Sequence, residues 1–435
     1  MRFLGIGEDA SLGDMYIQLA QAGHEVKVFI NAPESRDTLA GLIRQTDDWQ
    51  RELDWVGRGE GILLFENATS GETQDTLRRD GFHVIGGSAE GDRMENDREY
   101  GQSCMRHAGM RTAASRTFDD FAAALDYVRR RPRRYVFKMN GFDFAASRNV
   151  VGEMDDGADI AALLERYRRT WSFDTTPDFV LMDHVTGVEV GVGAYFNGKA
   201  FLDAVVIDWE HKKFFTGDLG ELTGEMGTLV SYRNSRPLFD ATLARMADQL
   251  RDCGYVGYIN INTIADASGI WPLEFSCRFG YPGAAICDAL HVEGWDVLFA
   301  RMATRSRLDF PTRPGFAVGV LLTVPPFPQR DRYEDISKGL PILFREPPSE
   351  EDRRHLHLSE VEMRDGQMLT AGELGALMVV TGTGPTVETA QAEAYRRCAN
   401  VVVPGLRYRT DIGSRFPARD RALMQQWGLW PKDAD

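Results

Sequence analysis

No apolar run in these 435 residues approaches the roughly 18 that a membrane-spanning helix needs. A basic footprint is missing as well. The 65 acidic and 50 basic side chains leave a net charge of −15, which argues against nucleic acid as a partner, because a phosphate backbone demands the opposite sign. One local basic pocket for a phosphorylated ligand is compatible with that balance. The five cysteines, at 104, 253, 277, 287 and 398, are widely spaced and include no CxxC pair. An odd, scattered set fits a reducing, cytoplasmic setting better than a disulfide frame or a structural zinc site. His355 and His357 share a strand face at best and have no third ligand close in sequence, so core or surface histidines are expected there rather than a metal site. The opening residues MRFLGIGEDA turn acidic and glycine-rich at once, so no signal peptide is expected. Repeats and low-complexity tracts are lacking too. What remains is the composition of a soluble globular protein, 43% apolar and 10% aromatic. The length suits about two to four domains.

The stretch Trp271–Gly280, WPLEFSCRFG, reads as a strand with period two, bounded by glycines. Leu273, Phe275 and Cys277 fall on one face; Glu274, Ser276 and Arg278 fall on the other. A carboxylate, a hydroxyl and a guanidinium on one face suit a hard cation with phosphate oxygens: carboxylate for Mg²⁺, Arg for the charge Mg²⁺ leaves unbalanced. The bland alternative is a surface ion pair between Glu274 and Arg278.

Upstream, Arg2–Ile6, Ser11–Ala22 and Glu25–Ile30 read as strand, helix and strand, a βαβ opening with a parallel sheet. Gly5, Gly7 and Ala10 match a dinucleotide fingerprint, but Asn31 stands where that fold wants an acid. Glu8, Asp9 and Asp14 make the same loop a poor phosphate cradle. Further strands are expected at Gly61–Phe65 and His83–Ile85, and a helix over Arg93–Gly109. Thr117 with Asp120 reads as a capping box. Tyr135–Met139 is a strand carrying Lys138, followed by a small-residue loop, Gly141–Asn149, with one Arg. A lysine beside such a loop suits nucleotide phosphates under a lid. Phe179–Met182 is a buried strand, and Glu189 opens the next; an apolar slot beside a carboxylate suits an adenosine. The segment from Asp208 to Gly227 is either a solvated loop or a substrate-facing one with His211 and Lys212 as anion contacts. Asp240–Asp252 reads as one amphipathic helix. Gly257–Ile264 leads into the Trp271 strand as a hairpin. Asn260 and Asn262 would join the face of Glu274 only if the turn held an odd number of residues. Strands at Phe316–Val324, Gly366–Thr370 and Leu377–Thr381 and a helix over Pro385–Asn400 follow. Arg407, Arg409 and Asp411 are either cleft-closing groups or a surface charge cluster.

The order of these pieces resembles the ATP-grasp superfamily and, within it, the phosphoribosylamine–glycine ligases (glycinamide ribonucleotide synthetases). Tyr135–Gly141 resembles the family's Val-Val-Lys-Ala-Asp-Gly strand. Leu273–Gly280 matches Leu-Glu-Phe-Asn-Cys-Arg-Phe-Gly with Ser276 in place of Asn. Glu95–Arg98 looks like Glu-Gly-Ser-Lys, Glu210–Lys213 like Asp-His-Lys-Arg, and Tyr408–Gly413 matches Tyr-Arg-x-Asp-Ile-Gly. The resemblance implies a two-lobed α+β ATP-grasp site over residues 91–312, with a lid at about 115–185. A parallel-sheet α/β domain (1–90) precedes it; a small α+β lobe (313–420) and a tail (421–435) follow. It implies ATP with Mg²⁺ or Mn²⁺. Arg98, Lys138, Arg148, Met182, Glu189, Lys212 and Arg278 would meet the nucleotide, with Lys138, Arg148 and Arg278 catalytic. Glu274 and Ser276 would hold metal.

The activity implied is a ligase joining small-molecule carboxylate and amine substrates through an acyl phosphate, as a cytoplasmic monomer or homodimer. Departures fall on the substrate side: Gly7–Leu12 replaces the family's Gly-Gly-Arg-Glu-His-Ala, Tyr281-Pro-Gly283 replaces Asp-Pro-Glu, and Leu222–Glu225 replaces Asn-Thr-Gly-Gly. A changed substrate, the family's own reaction and a catalytically inactive nucleotide-binding regulator are the three readings left open.

Overall fold

The computed structural model describes residues 1–139, 149–171 and 178–432. Five parallel strands open the chain: β1 (Arg2–Gly7), β2 (Glu25–Ile30), β3 (Arg44–Gln45), β4 (Ile62–Phe65) and β5 (His83–Ile85), in the order β3-β2-β1-β4-β5. Phe3, Leu4, Ile62 and Leu63 are fully buried. Strands covered on both faces read as unbroken apolar runs, which is how β1 and β4 read. The order reverses between β1 and β4, where α/β sheets bind ligands beyond their carboxyl ends. Here that crevice holds Glu66, which receives Tyr16 Oη–H at 2.6 Å and Ser11 Oγ–H at 3.1 Å. Gly7 leaves room for that carboxylate: a Cβ there would stand 2.3 Å from it and force the Glu66 side chain to move.

The helix expected over Arg93–Gly109 is two helices, Ala89–Asn96 and Arg98–His107. Asp97 leaves helical geometry and its side chain accepts Tyr100 N–H at 3.0 Å, capping the second helix. The expected Thr117 capping box is replaced by Asp120 alone, which caps Phe121–Arg130 while Thr117 lies in a strand. Asp240–Asp252 is likewise broken, into Arg236–Ala241, a short 3₁₀ turn and Ala247–Asp252.

Strands β6 (Ser115–Phe118), β7 (Tyr135–Met139), β8 (Val150–Val151) and β9 (Phe179–Asp183) form a four-stranded sheet, order β6-β9-β7-β8. Its core of Phe121, Phe137, Ile160, Leu164 and Phe179 is separate from the main one.

The main sheet has eight antiparallel strands. They are β10 (Val188–Asn197), β11 (Phe201–Glu210), β14 (Gly227–Ser231), β15 (Val256–Asp266), β16 (Gly269–Ser276), β17 (Phe316–Thr323), β19 (Leu356–Leu358) and β22 (Ala376–Gly384). Their order is β16-β15-β10-β11-β14-β17-β22-β19. The glycine-rich segment after Glu210 folds as a hairpin, β12 (Lys213–Phe215) with β13 (Leu219–Leu222). Two small ladders complete the C-terminal part, β18 (Leu343–Phe344) with β23 (Val401–Val402) and β20 (Val361–Arg364) with β21 (Gln367–Thr370).

Register places the site. The β15–β16 turn has two residues, Ala267 and Ser268, since Asp266 pairs with Gly269. An even turn alone would leave Asn262 and Glu274 on opposite faces. A bulge corrects this: Thr263 pairs with Pro272, but Asn262 pairs with Glu274, so Leu273 is the extra residue. Gln102, from the second capped helix, donates its amide to Leu273 O at 2.5 Å and so satisfies the bulged carbonyl. Strand β16 stops at Ser276, short of the expected Gly280, and Arg278 lies in the loop beyond it.

The C-terminal strands β17, β22 and β19 continue the same sheet. Helix Val387–Asn400 covers them with Val387, Ala390, Ala394 and Cys398 buried, as the spacing predicts. The tail docks: Trp430 packs on Trp209, Phe416 and Phe316. No helix among the described residues is long and apolar enough to cross a membrane.

Candidate active site

Cross-strand partners share a face, so one row runs Glu274–Asn262–Gly191–Asp208 and the next Ser276–Asn260–Gly193–Val206. The same face carries Glu189 and Glu210. The opposite face is Val190, Val192, Ile259, Ile261, Ile207 and Phe275, all buried. One side of this sheet is thus a polar floor and the other side is core.

On that floor Glu274 Oε2 receives Arg98 Nη1 at 2.6 Å and Lys138 Nζ at 3.0 Å. Lys138 comes from the small sheet and Arg98 from the capped helix, so three elements meet on one carboxylate oxygen. Lys138, Arg98 and Lys212 hold the Glu274 carboxyl well below the usual range, against the cost of burial. Burial pushes the Lys138 ammonium down, with Glu274 pulling the other way. Lys212 Nζ sits 2.9 Å from both Glu189 Oε1 and Glu210 Oε2. Burial disfavours its charge, but Glu189 and Glu210 overcome that and raise its pKa well above the ordinary value. Asn262 Nδ2 donates to Glu210 at 3.2 Å, and its buried Oδ1 has no hydrogen-bond partner.

Where the strand ends, Glu95 takes both Cys277 N–H, at 2.5 Å, and Arg278 Nε–H, at 3.0 Å. Glu95 and Arg98 flank the helix break at Asp97 and read the two charged residues of the WPLEFSCRFG stretch with opposite sign. The ion pair within the strand, Glu274 with Arg278, is therefore not formed; each pairs elsewhere.

The floor fits a hard divalent cation. Glu274 offers a carboxylate, Asn262 an unpartnered buried amide oxygen directly across the ladder, and Ser276 a half-buried hydroxyl opposite Asn260.

Other expected residues divide. Met182 is buried in β9, between β6 and β7. Glu189 is held by Lys212 rather than free in solvent. Arg148, with most of its glycine-led loop, lies outside the described residues. His211 is no anion contact: it is buried, accepts Gly413 N–H at 3.3 Å, and burial with Arg415 and Arg409 pushes its pKa down to about 3. Arg409 is fully buried against Asp411, Asp218 and Lys213 O, and Arg407 donates to Phe327 O. Arg409 is thereby spent on tying the β12–β13 hairpin and is no surface charge, while the buried Nε of Arg407 keeps no hydrogen-bond partner.

His357 does acquire further ligand-type neighbours. Its ring, Asp14 and Asp288 offer ligand atoms within 4.8 Å of one another. The group is closed by hydrogen bonds, His357 to Asp14 at 2.7 Å and Gln18 to both carboxylates, so it reads as a buried ion pair.

Glu210, Asn262 and Asp208 lie on this floor and were not singled out as site residues by sequence reasoning. The legible signal was GYININTI, two amides at alternate positions of an apolar strand. Asp208 carried none, because it sits among other charges in sequence.

A family model of the phosphoribosylglycinamide synthetase ATP-grasp (A) domain matches residues 96–284, and that of the C domain of phosphoribosylglycinamide synthetase matches residues 317–415. The phosphoribosylamine–glycine ligase of Neisseria meningitidis serogroup B is 26% identical over 435 residues, spanning 95% of this chain and 99% of its own. That of Ralstonia nicotianae is 27% identical over 353 residues, 78% of this chain and 80% of its own. Among solved structures, the phosphoribosylamine–glycine ligase of Thermotoga maritima gives a TM-score of 0.72 at 21% identity, covering 95% of this chain and 100% of that one. The biotin carboxylase of Campylobacter jejuni gives 0.60 at 10% identity, over 93% and 92%. At those identities the solved structures speak to fold alone. Two domain models of one synthetase, in order and together spanning about two-thirds of the chain, carry the conclusion: the chain belongs to the phosphoribosylglycinamide synthetase family of ATP-grasp C–N ligases.

Proposed function

We propose that the protein is an ATP-dependent carboxylate–amine ligase whose substrates differ from the family's glycine and phosphoribosylamine. The observation that supports the ligase reading most directly is the convergence of Lys138 and Arg98 on Glu274, opposite the free amide oxygen of Asn262. In this reading Lys138 and Arg278, with Arg148 from the lid, neutralise charge on the transferring phosphoryl group. Such catalysis is positioning plus electrostatics, because the transition state spreads charge over oxygens. Glu189, fixed by Lys212, faces the ribose, and Met182 lines the adenine side. Glu274, Asn262 and Ser276 would hold Mg²⁺ or Mn²⁺, which supplies charge neutralisation of the phosphates. The carboxylate substrate becomes an acyl phosphate, and the amine displaces phosphate to leave an amide. The domain division is part of the proposal: residues 1–90, 91–312 and 313–420, with the four-stranded sheet as lid.

Changes at Gly7–Leu12, Leu222–Glu225 and Tyr281–Gly283 motivate the altered substrate. The family's own reaction remains a second reading, favoured by relatives that align over nearly their whole length. Supplying glycine and phosphoribosylamine and following ADP separates the two: brisk release overturns the altered substrate, and ATP binding without release supports it. Replacing Glu274 by Gln is expected to abolish metal-dependent ADP release; unchanged turnover would refute the metal assignment.

A further inference from the structure

Three titratable side chains from distant parts of the chain meet in one buried group away from the polar floor. Asp14 stands in the first turn of helix Gly13–Gln21, Asp288 ends helix Gly283–Asp288, and His357 lies on β19, the edge strand of the main sheet. The His357 side chain is 1% exposed. Its Nδ1 is 2.7 Å from Asp14 Oδ2, and Gln18 Nε2 donates to Asp14 at 2.6 Å and to Asp288 at 2.8 Å. On the other side His357 Nε2 is 3.1 Å from Thr381 Oγ1, which is 2.8 Å from His355 Nδ1. A doubly protonated ring fits this chain. It donates to Asp14 and to Thr381, and the Thr381 hydroxyl donates to His355. The other charges nearby do not stand in for it. Burial, with neighbouring arginines, pushes His355 and His291 down to about 3, so both are neutral. Arg397 is committed to Asp352, Glu393 and Thr381 O. Arg313 donates to Ala289 O and acts on Asp288 only through space. A cavity of about 20 Å³, room for one water, adjoins the group. Ser11, Leu12 and Tyr281 line it together with Asp14 and His357, so the group sits between the Gly7–Leu12 loop and Tyr281–Gly283.

Protonated, His357 offers one positive charge to two buried carboxylates; neutral, it leaves them to repel across Gln18. We propose that His357 is a proton-controlled latch that fastens helix Gly13–Gln21 and the Asp288 turn to β19, and that losing the proton frees the two loops lining the cavity. Burial pulls the His357 pKa down, but Asp14 and Asp288 more than offset it and leave it raised. The latch is therefore shut below about pH 6.5 and opens as pH climbs through the raised value. Burial raises the Asp288 carboxyl to about 6, which acts with the same sign. That the freed loops meet substrate rests on the ligase reading; the latch itself does not.

Hydrogen exchange on the full-length protein reads the latch directly. Protection factors, corrected for the intrinsic pH dependence of exchange, are measured for helix Gly13–Gln21 between about pH 6 and pH 9. They should fall by roughly 10- to 100-fold in the parent, the scale of a hydrogen bond to a charged group. In His357→Gln they should be flat. Asp14→Asn, a smaller change, should move the fall to lower pH, and it carries the test should the His357 variant not fold. NMR titration of labelled histidine rings, assigned by comparison with the variants, should place His357 above the ordinary value of about 6.5. A ring titrating at or below that value, or a protection profile unchanged by both variants, would overturn the proposal. A latch that behaves as expected in a protein that releases no ADP from any acid–amine pair would stand while the ligase reading fell. ADP release alongside pH-independent protection would do the reverse.

Discussion

Lys138 Nζ and Glu274 Oε2 stand 3.0 Å apart although 136 residues separate them in the chain. The pair joins the small four-stranded sheet to the edge strand of the large one. Arg98 shares the same oxygen. Removing either cation leaves Glu274 with the other, but of the two it is Lys138 that comes from the small sheet. Lys138→Ala is therefore expected to cost about 10²-fold or more in the rate of ADP release, the scale for losing one preorganised charge donor. Arg98→Ala should cost less. Equal losses in steady-state ADP assays would contradict this ranking.

The bulge at Leu273 sets which side chains face the polar floor, and Gln102 is the residue that steadies it. Gln102→Leu leaves the Leu273 carbonyl without its donor, at a cost of about 1–3 kcal/mol. Urea melts should show that loss. A fall in ADP release larger than the global destabilisation explains would indicate that Glu274 has lost its register opposite Asn262.

Most of the scaffold was legible in the sequence because periodicity and burial agree locally. β2, β5 and β7 fall on their expected residues, and helix Val387–Asn400 buries the predicted stripe. Long-range decisions were not legible. The parity of a hairpin can be changed by one bulged residue, and nothing in WPLEFS marks Leu273 as that residue. Asp97 interrupts a helical pattern by capping the next helix, a competition between two local hydrogen-bonding choices that periodicity cannot see. The burial of Arg409 depends on partners at 213 and 218, and that of His211 on Gly413, so each looked exposed when read from its neighbours. Glu274 and Arg278 were found because their types are unusual on a strand face. Their true partners, Arg98 and Glu95, lie on a separate helix pair.

Gly382 has no room for a side chain. An added Cβ would meet Ala394 N at 2.2 Å and Ala390 O at 2.3 Å, backbone atoms of the helix that covers the C-terminal strands. Neither neighbour can rotate away, so Gly382→Ala must push the helix off the sheet. The expected loss is about 1–3 kcal/mol or more. A thermal midpoint equal to that of the parent protein would show that the helix packs less closely than this.

Glu66 gives a pH dependence with a definite sign. Burial, then the nearby Asp9, raises its carboxyl from 4.5 to about 7, while Tyr16 and Ser11 hydrogen bonds only partly offset that. A carboxyl that holds its proton more tightly when folded contributes stability that is complete below its unfolded pKa and is lost as pH rises through the folded one. Stability should therefore decline between about pH 4.5 and pH 7 and stay lower above it, by a few kcal/mol from this residue. Glu66→Gln removes the titration and keeps one of the two oxygens, so it retains an acceptor for either the Tyr16 or the Ser11 hydroxyl. Urea unfolding at pH 5 and pH 8 should then show a smaller difference for the variant than for the parent. Glu274 works in the opposite direction, its depressed pKa adding stability above the usual carboxylate range, but that contribution is already complete by pH 5 and does not mask the comparison. An equal pH 5 to pH 8 difference in parent and variant would mean that Glu66 is ionised in the fold throughout, with a compensating cation at the β1–β4 crevice.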